Sequence, residues 1–239
     1  MKKLIAYITA SYPDKKFSIE LINTLKEAKV DGVELGIPFS DPVADGEIIQ
    51  EANKKALENR FKIKDIFEIS KNIDIDTYWM GYFNNFYKKG YDFMVEKAKE
   101  LNIKGFIIPD LPYEEAITYS DKFPLISFVA PTDNKERIKK ILQNPKEFIY
   151  LVAYTGITGK EKNENLEEVI NNIKEVTQTP IYIGFGVNEK TAKEKSKNVD
   201  GVIVGSRFVK ILLNKGSYTS KLKEIYQVAK IIKEEINSF

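Results

Sequence analysis

Eight short apolar, β-branched segments, each followed by a longer segment rich in Lys and Glu, constrain the fold of this chain more than any other feature. The apolar segments cover residues 4–9, 32–36, 75–80, 105–108, 125–129, 148–152, 181–185 and 201–204. The intervening stretches carry apolar residues at three- and four-residue spacing, as in Ile19, Ile22 and Leu25 or Leu166, Val169 and Ile173, with charged residues opposite. Strands that read as nearly continuous apolar runs and alternate with amphipathic helices predict a parallel sheet covered by helices. Eight such units predict a closed (β/α)₈ barrel, a TIM barrel, for which 239 residues is an ordinary length. The interval between the second and third strands is long enough for two helices, over 47–57 and 64–71. No linker or low-complexity tract divides the chain, so residues 1–239 are expected to form one α/β domain. An open doubly wound sheet is the alternative. Its only nucleotide-like signal, Gly184-Phe185-Gly186, follows the seventh strand instead of the first and has Glu189 where a third glycine belongs.

Composition narrows the chemistry. The chain has no His and no Cys, which excludes imidazole proton shuttles, thiolate nucleophiles, disulfides and His- or Cys-based metal sites. Proton transfer must use Asp, Glu, Lys or Tyr. A net charge of +2 with only three arginines, Arg60, Arg137 and Arg207, offers no field for nucleic acid. The opening Met1-Lys2-Lys3 and its apolar run imitate a signal peptide but lead directly into Ser11-Tyr12-Pro13-Asp14, and are read as the first strand. No run approaches the roughly 20 apolar residues that span a bilayer. The expectation is a soluble, cytoplasmic protein.

In a barrel of this kind functional groups gather at the carboxyl ends of the strands. There the second strand runs through Glu34 into the loop Gly36-Ile37-Pro38-Phe39-Ser40-Asp41-Pro42-Val43-Ala44-Asp45-Gly46. A carboxylate at the end of a buried strand sits where water is scarce, so its proton affinity can be tuned, and a second on the following loop can close over a substrate. Glu34, Asp45 and Tyr150 therefore form one candidate site. Glycine-rich turns follow strands six, seven and eight, at Gly156-Ile157-Thr158-Gly159, Gly184-Phe185-Gly186 and Gly205-Ser206. With a helix opening at Ser206, they predict a phosphate-ester site.

The segment Glu34 to Gly46 closely resembles the signature of the tryptophan synthase alpha chain family. The resemblance extends through Met80-Gly81-Tyr82-Phe83-Asn84, Asp110-Leu111-Pro112-Tyr113-Glu114-Glu115, Ala130-Pro131-Thr132 and the three glycine-rich turns. It implies retro-aldol cleavage of indole-3-glycerol phosphate to indole and glyceraldehyde 3-phosphate, without a cofactor in this chain. By the same resemblance Glu34 is the acid-base residue, acting as an ionised carboxylate on the C3′ hydroxyl and assisting protonation of the ring. Asp45 stabilises the indolenine cation, and Tyr150 stands beside Glu34. Gly159, Phe185, Gly186, Gly205 and Ser206 hold phosphate, Tyr7, Leu35 and Phe39 line the indole pocket, and Thr158 lies on a loop that closes over the site.

The family also implies a partner, a β chain that carries pyridoxal phosphate and receives indole within an α₂β₂ assembly. Three departures stand out: the chain begins three residues before its first strand, where relatives carry a helix across the barrel floor; Ser11 replaces a usual glycine; and Glu47 replaces a usual proline, which predicts a less rigid Asp45 loop. A phosphosugar epimerase or isomerase would share the phosphate site but not the indole-sized pocket, and a barrel that regulates a partner by loop ordering would not need Glu34, Asp45 and Tyr150 together.

Overall fold

A computed structural model describes residues 1–153 and 166–238. Its eight strands are β1 (Lys3–Thr9), β2 (Gly32–Gly36), β3 (Asp76–Met80), β4 (Gly105–Ile107), β5 (Ser127–Val129), β6 (Ile149–Val152), β7 (Ile181–Gly184) and β8 (Gly201–Val204). All pairings are parallel, in the order β4-β3-β2-β1-β8-β7-β6-β5, so the first strand lies between the second and the last. The remaining seam, between β4 and β5, is closed by a bridge from Phe106 to Leu125. Two backbone hydrogen bonds flank it, Phe106 N to Pro124 O at 2.9 Å and Ile126 N to Phe106 O at 3.0 Å. This is the closed (β/α)₈ arrangement that the segment pattern predicts.

Eleven helices among the described residues wrap the sheet: α1 (Lys15–Glu27), α2 (Glu47–Glu58), α3 (Ile63–Lys71), α4 (Phe83–Tyr87), α5 (Tyr91–Glu100), α6 (Tyr113–Ser120), α7 (Lys135–Ile141), α8 (Leu166–Val176), α9 (Ala192–Lys195), α10 (Ser206–Leu213) and α11 (Tyr218–Glu235). Their starts follow local chemistry. Asp14 caps α1 by accepting from Phe17 N at 2.8 Å, and Ser217 caps α11 by accepting from Ser220 N at 3.2 Å. The faces they bury, such as Phe17, Leu21, Ile22 and Leu25 of α1, are those marked by the three- and four-residue spacing. Both helices expected between β2 and β3 are present, as α2 and α3.

Alternation along each strand decides what enters the barrel. Large rings cross over strands that carry glycine at the facing position. A β-carbon on Gly201 would lie 2.7 Å from the Tyr182 ring, and one on Gly36 would lie 2.5 Å from the Tyr7 hydroxyl. Tyr78, Phe148 and Tyr182 fill the lower interior, with Tyr78 edge-on to Phe148 at 5.1 Å and Phe148 stacked on Tyr182 at 4.6 Å. The barrel floor is thus packed by its own strands. Above that layer the interior opens into a cavity.

Candidate active site

The cavity encloses about 330 Å³ at the carboxyl ends of the strands. Glu34 of β2 lines it beside Tyr7 of β1, its direct register partner, and Tyr150 of β6 lies across the barrel. Asp45 enters from the loop after β2. Glu34 is 2% exposed, and its Oε1 is buried without a hydrogen-bond partner. Loss of water, reinforced by the Asp45 charge, raises its carboxyl to about 8. Burial also raises Asp45, to about 6, against hydrogen bonds from Tyr82 and Asn53 that favour its ionised form. The two interact, so their titrations belong to the pair. Burial and the neighbouring charge thus raise Glu34 more than Asp45. A raised Glu34 carboxyl favours its protonated form near neutral pH, because the buried strand end has lost its water. Burial, then the charges of Glu34 and Asp45, push the Tyr150 hydroxyl well up, so it remains a neutral donor.

The Asp45 loop is fixed by side chains from two directions. Ala44 N donates to the Tyr82 hydroxyl at 3.0 Å, Gln50 Nε2 donates to the Asp45 carbonyl at 2.8 Å, and Asn53 Nδ2 reaches Asp45 Oδ2 at 3.4 Å. Gly46 is the N-cap of α2 and Glu47 its first residue. An acid there complements the positive end of the helix, and the loop is tied down without a proline. The sequence pattern gives Asn53 and Tyr82 no role at the Asp45 loop. The available signal for Asn53 was a polar residue on the face of α2 that also buries Ala52 and Ala56.

Phe185, Gly186, Gly205 and Ser206 line the same cavity, as the glycine pattern predicts. Phe185 and Gly186 both adopt left-handed backbone, with φ of 70° and 68°. Gly205 caps α10, so the unpaired N–H groups of that helix open toward the cavity. Thr158 and Gly159 lie outside the described residues. Ile49, Met80, Ile107, Phe128 and Ile203 supply apolar wall to the cavity.

Two expected pocket residues are placed elsewhere. Leu35 is fully buried, but it follows Glu34 in β2 and so faces the other side of the sheet. Its register partner Trp79 packs on Phe67 of α3 and donates to Ser70 Oγ of that helix at 3.0 Å. Phe39 stacks on Tyr82 at 5.1 Å and lies outside the cavity wall. It backs a residue that holds the Asp45 loop. Tyr7 does line the cavity, 4% exposed, with its hydroxyl 3.4 Å from Thr9 Oγ1.

Comparison with known proteins gives a consistent result. The family model described as tryptophan synthase alpha chain matches residues 1–237. A curated tryptophan synthase alpha chain from Wolinella succinogenes is 51% identical over 247 aligned positions, covering 100% of this chain and 97% of the relative. One from Thermotoga petrophila is 38% identical, covering 89% and 91%. Among solved structures, tryptophan synthase subunit alpha from Campylobacter jejuni superposes with a TM-score of 0.85 at 36% identity, covering 95% of each chain. The subunit from Legionella pneumophila superposes with a TM-score of 0.88 at 28% identity, covering 100% and 94%.

Proposed function

The chain belongs to the tryptophan synthase alpha chain family, and from that premise we propose how its own residues divide the family's reaction, the cleavage of indole-3-glycerol phosphate to indole and glyceraldehyde 3-phosphate. It is a carbon–carbon lyase of tryptophan biosynthesis. The chemical difficulty is the leaving group, since direct scission would place negative charge on indole C3. The protonated Glu34 removes that difficulty by giving its proton to C3, which leaves a carboxylate and converts the ring to an indolenine cation. Asp45, already ionised, accepts the hydrogen bond of the indole N–H and stabilises the positive charge as it forms. The Glu34 carboxylate then takes the proton of the C3′ hydroxyl. The oxygen pair becomes the aldehyde carbonyl, the C3–C3′ pair returns to the ring, and Glu34 is left protonated for the next cycle. Tyr150 orients Glu34.

The observation that carries this reading is a pair of buried carboxyl groups on one cavity, Glu34 raised to about 8 and Asp45 to about 6, with the glycine loops lining the same cavity. We assign the phosphate to Phe185, Gly186, Gly205 and Ser206, with Gly159 from the adjoining loop, and assign loop closure to Thr158. The aromatic ring lies against the apolar wall and Tyr7. The cleavage needs no cofactor, because the two carboxyl groups supply both proton transfer and charge stabilisation. Pyridoxal phosphate belongs to the β chain, with which this chain assembles as α₂β₂ to pass on indole. We take residues 1–239 as one catalytic domain acting in the cytoplasm; no helix among the described residues is long and apolar enough to cross a membrane. The test is indole release from indole-3-glycerol phosphate. Glu34→Gln should lose at least about 10³-fold in kcat while still binding indole-3-propanol phosphate, and full activity in that variant would end this assignment.

A further inference from the structure

We infer that Arg207 is a specificity-determining residue for the phosphate ester, its guanidinium held by Glu189 so that a fixed side-chain positive charge joins a subsite otherwise built from main-chain N–H groups. The inference rests on the assignment of that cavity wall to substrate phosphate. Arg207 is the second residue of α10 and lines the same cavity as Gly186, Gly205 and Ser206. The first turn of a helix is an unfavourable place for a cation, because the helix already presents its positive end there. α10 has no acidic residue in its first turn to offset the mismatch. The carboxylates that offset it, Glu189 and Glu224, come from other elements and hold the side chain at the cavity wall, and a local preference broken at a functional cavity points to function.

The guanidinium does not sweep freely. Its Nε donates to both carboxylate oxygens of Glu189 at 2.9 Å and Nη2 donates to Oε1 at 2.7 Å, while Nη1 lies 3.6 Å from Oε1 of Glu224 in α11. The planar fork is thereby locked. Glu189 follows Gly186 by three residues, so the pair also ties the loop after β7 to the start of α10, the two segments that supply the described part of the subsite. Glu189 without Arg207 would instead set a negative charge beside an incoming dianion. Lys210, one helical turn further along α10, lines the same wall, and Arg207 and Lys210 are the only cations that do so among the described residues.

The test is steady-state cleavage of indole-3-glycerol phosphate and of its unphosphorylated alcohol by the wild-type chain, Arg207→Gln, Arg207→Lys and the double variant Arg207→Gln/Glu189→Gln. Arg207→Gln should raise KM for the phosphate ester about tenfold with kcat held within about twofold, and reduce the preference for the ester, as a ratio of kcat/KM values, by a similar factor. Inhibition by inorganic phosphate should weaken in parallel. Arg207→Lys keeps the charge but loses the fork, and should recover part of the loss; it also serves if the Gln variant folds poorly. The double variant should retain the high KM. An unchanged KM and preference in Arg207→Gln would overturn the inference, as would full recovery in the double variant, which would mean that Arg207 only cancels Glu189. A wild-type chain that cleaves the ester but shows no preference for it over the alcohol would instead overturn the phosphate assignment on which the inference stands.

Discussion

The ring of Tyr150 occupies the space that a side chain at Gly184 would need: a β-carbon there would lie 2.4 Å from Cε1 and 2.5 Å from the hydroxyl oxygen. Tyr150 and Gly184 come from adjacent strands, and the tyrosine reaches the cavity only because its neighbour is bare. Gly184→Ala should therefore displace the ring, lowering stability by about 1–3 kcal/mol and reducing kcat. Denaturant unfolding and indole release measure the two effects. Retention of both would mean that Tyr150 can move without consequence.

The pH dependence of kcat/KM should be bell-shaped. Asp45 must be ionised to stabilise the cation, so activity rises with pH through about 6, and Glu34 must carry its proton at the start, so activity falls through about 8. Asp45→Asn should remove the acid limb and lower turnover by about 10²-fold. A profile that keeps rising through pH 9 would show that Glu34 starts as a base.

Glu34 should also cost the protein stability. Its folded-state value is raised from 4.5 to about 8, so the folded chain binds the proton more tightly than the unfolded chain does. Stability is then greatest below the unfolded value and is lost as pH rises through the folded one. Glu34→Gln, which cannot ionise, should be more stable than wild type by on the order of 5 kcal/mol above pH 8, with the difference vanishing near pH 4. Paired urea titrations at the two pH values check this.

Ser11 has a φ of 59°, in the left-handed region that favours glycine, and its hydroxyl is buried without a hydrogen-bond partner. Its backbone N–H is already satisfied by Ser18 Oγ at 3.0 Å. Ser11→Gly should relieve both faults and stabilise the chain by about 1 kcal/mol, or a few degrees in Tm. A lower Tm would mean that the hydroxyl has a partner worth more than the strain.

Much of the fold and part of the site are legible in the residue pattern. The strand runs are apolar because both faces are covered, and glycine turns line the cavity at the barrel mouth. The strand expected over 181–185 stops at Gly184 because Phe185 turns into left-handed backbone, which no apolar pattern signals. The resemblance places Leu35 in the pocket, whereas strict alternation from Glu34 points it the other way. Phe39, Tyr82 and Asn53 act through the Asp45 loop, and their meeting there depends on how that loop folds back.

The order of residues alone determines eight repeats and the absence of imidazole and thiol chemistry, and marks Glu34 and Asp45 as candidate acids, because periodicity and composition are properties of the chain itself. Tertiary structure decides how far burial raises each of them. That depends on how much water and how much neighbouring charge remain around Glu34 once β1, β2 and β6 surround it, and such desolvation exists only after residues distant in the chain have closed the cavity.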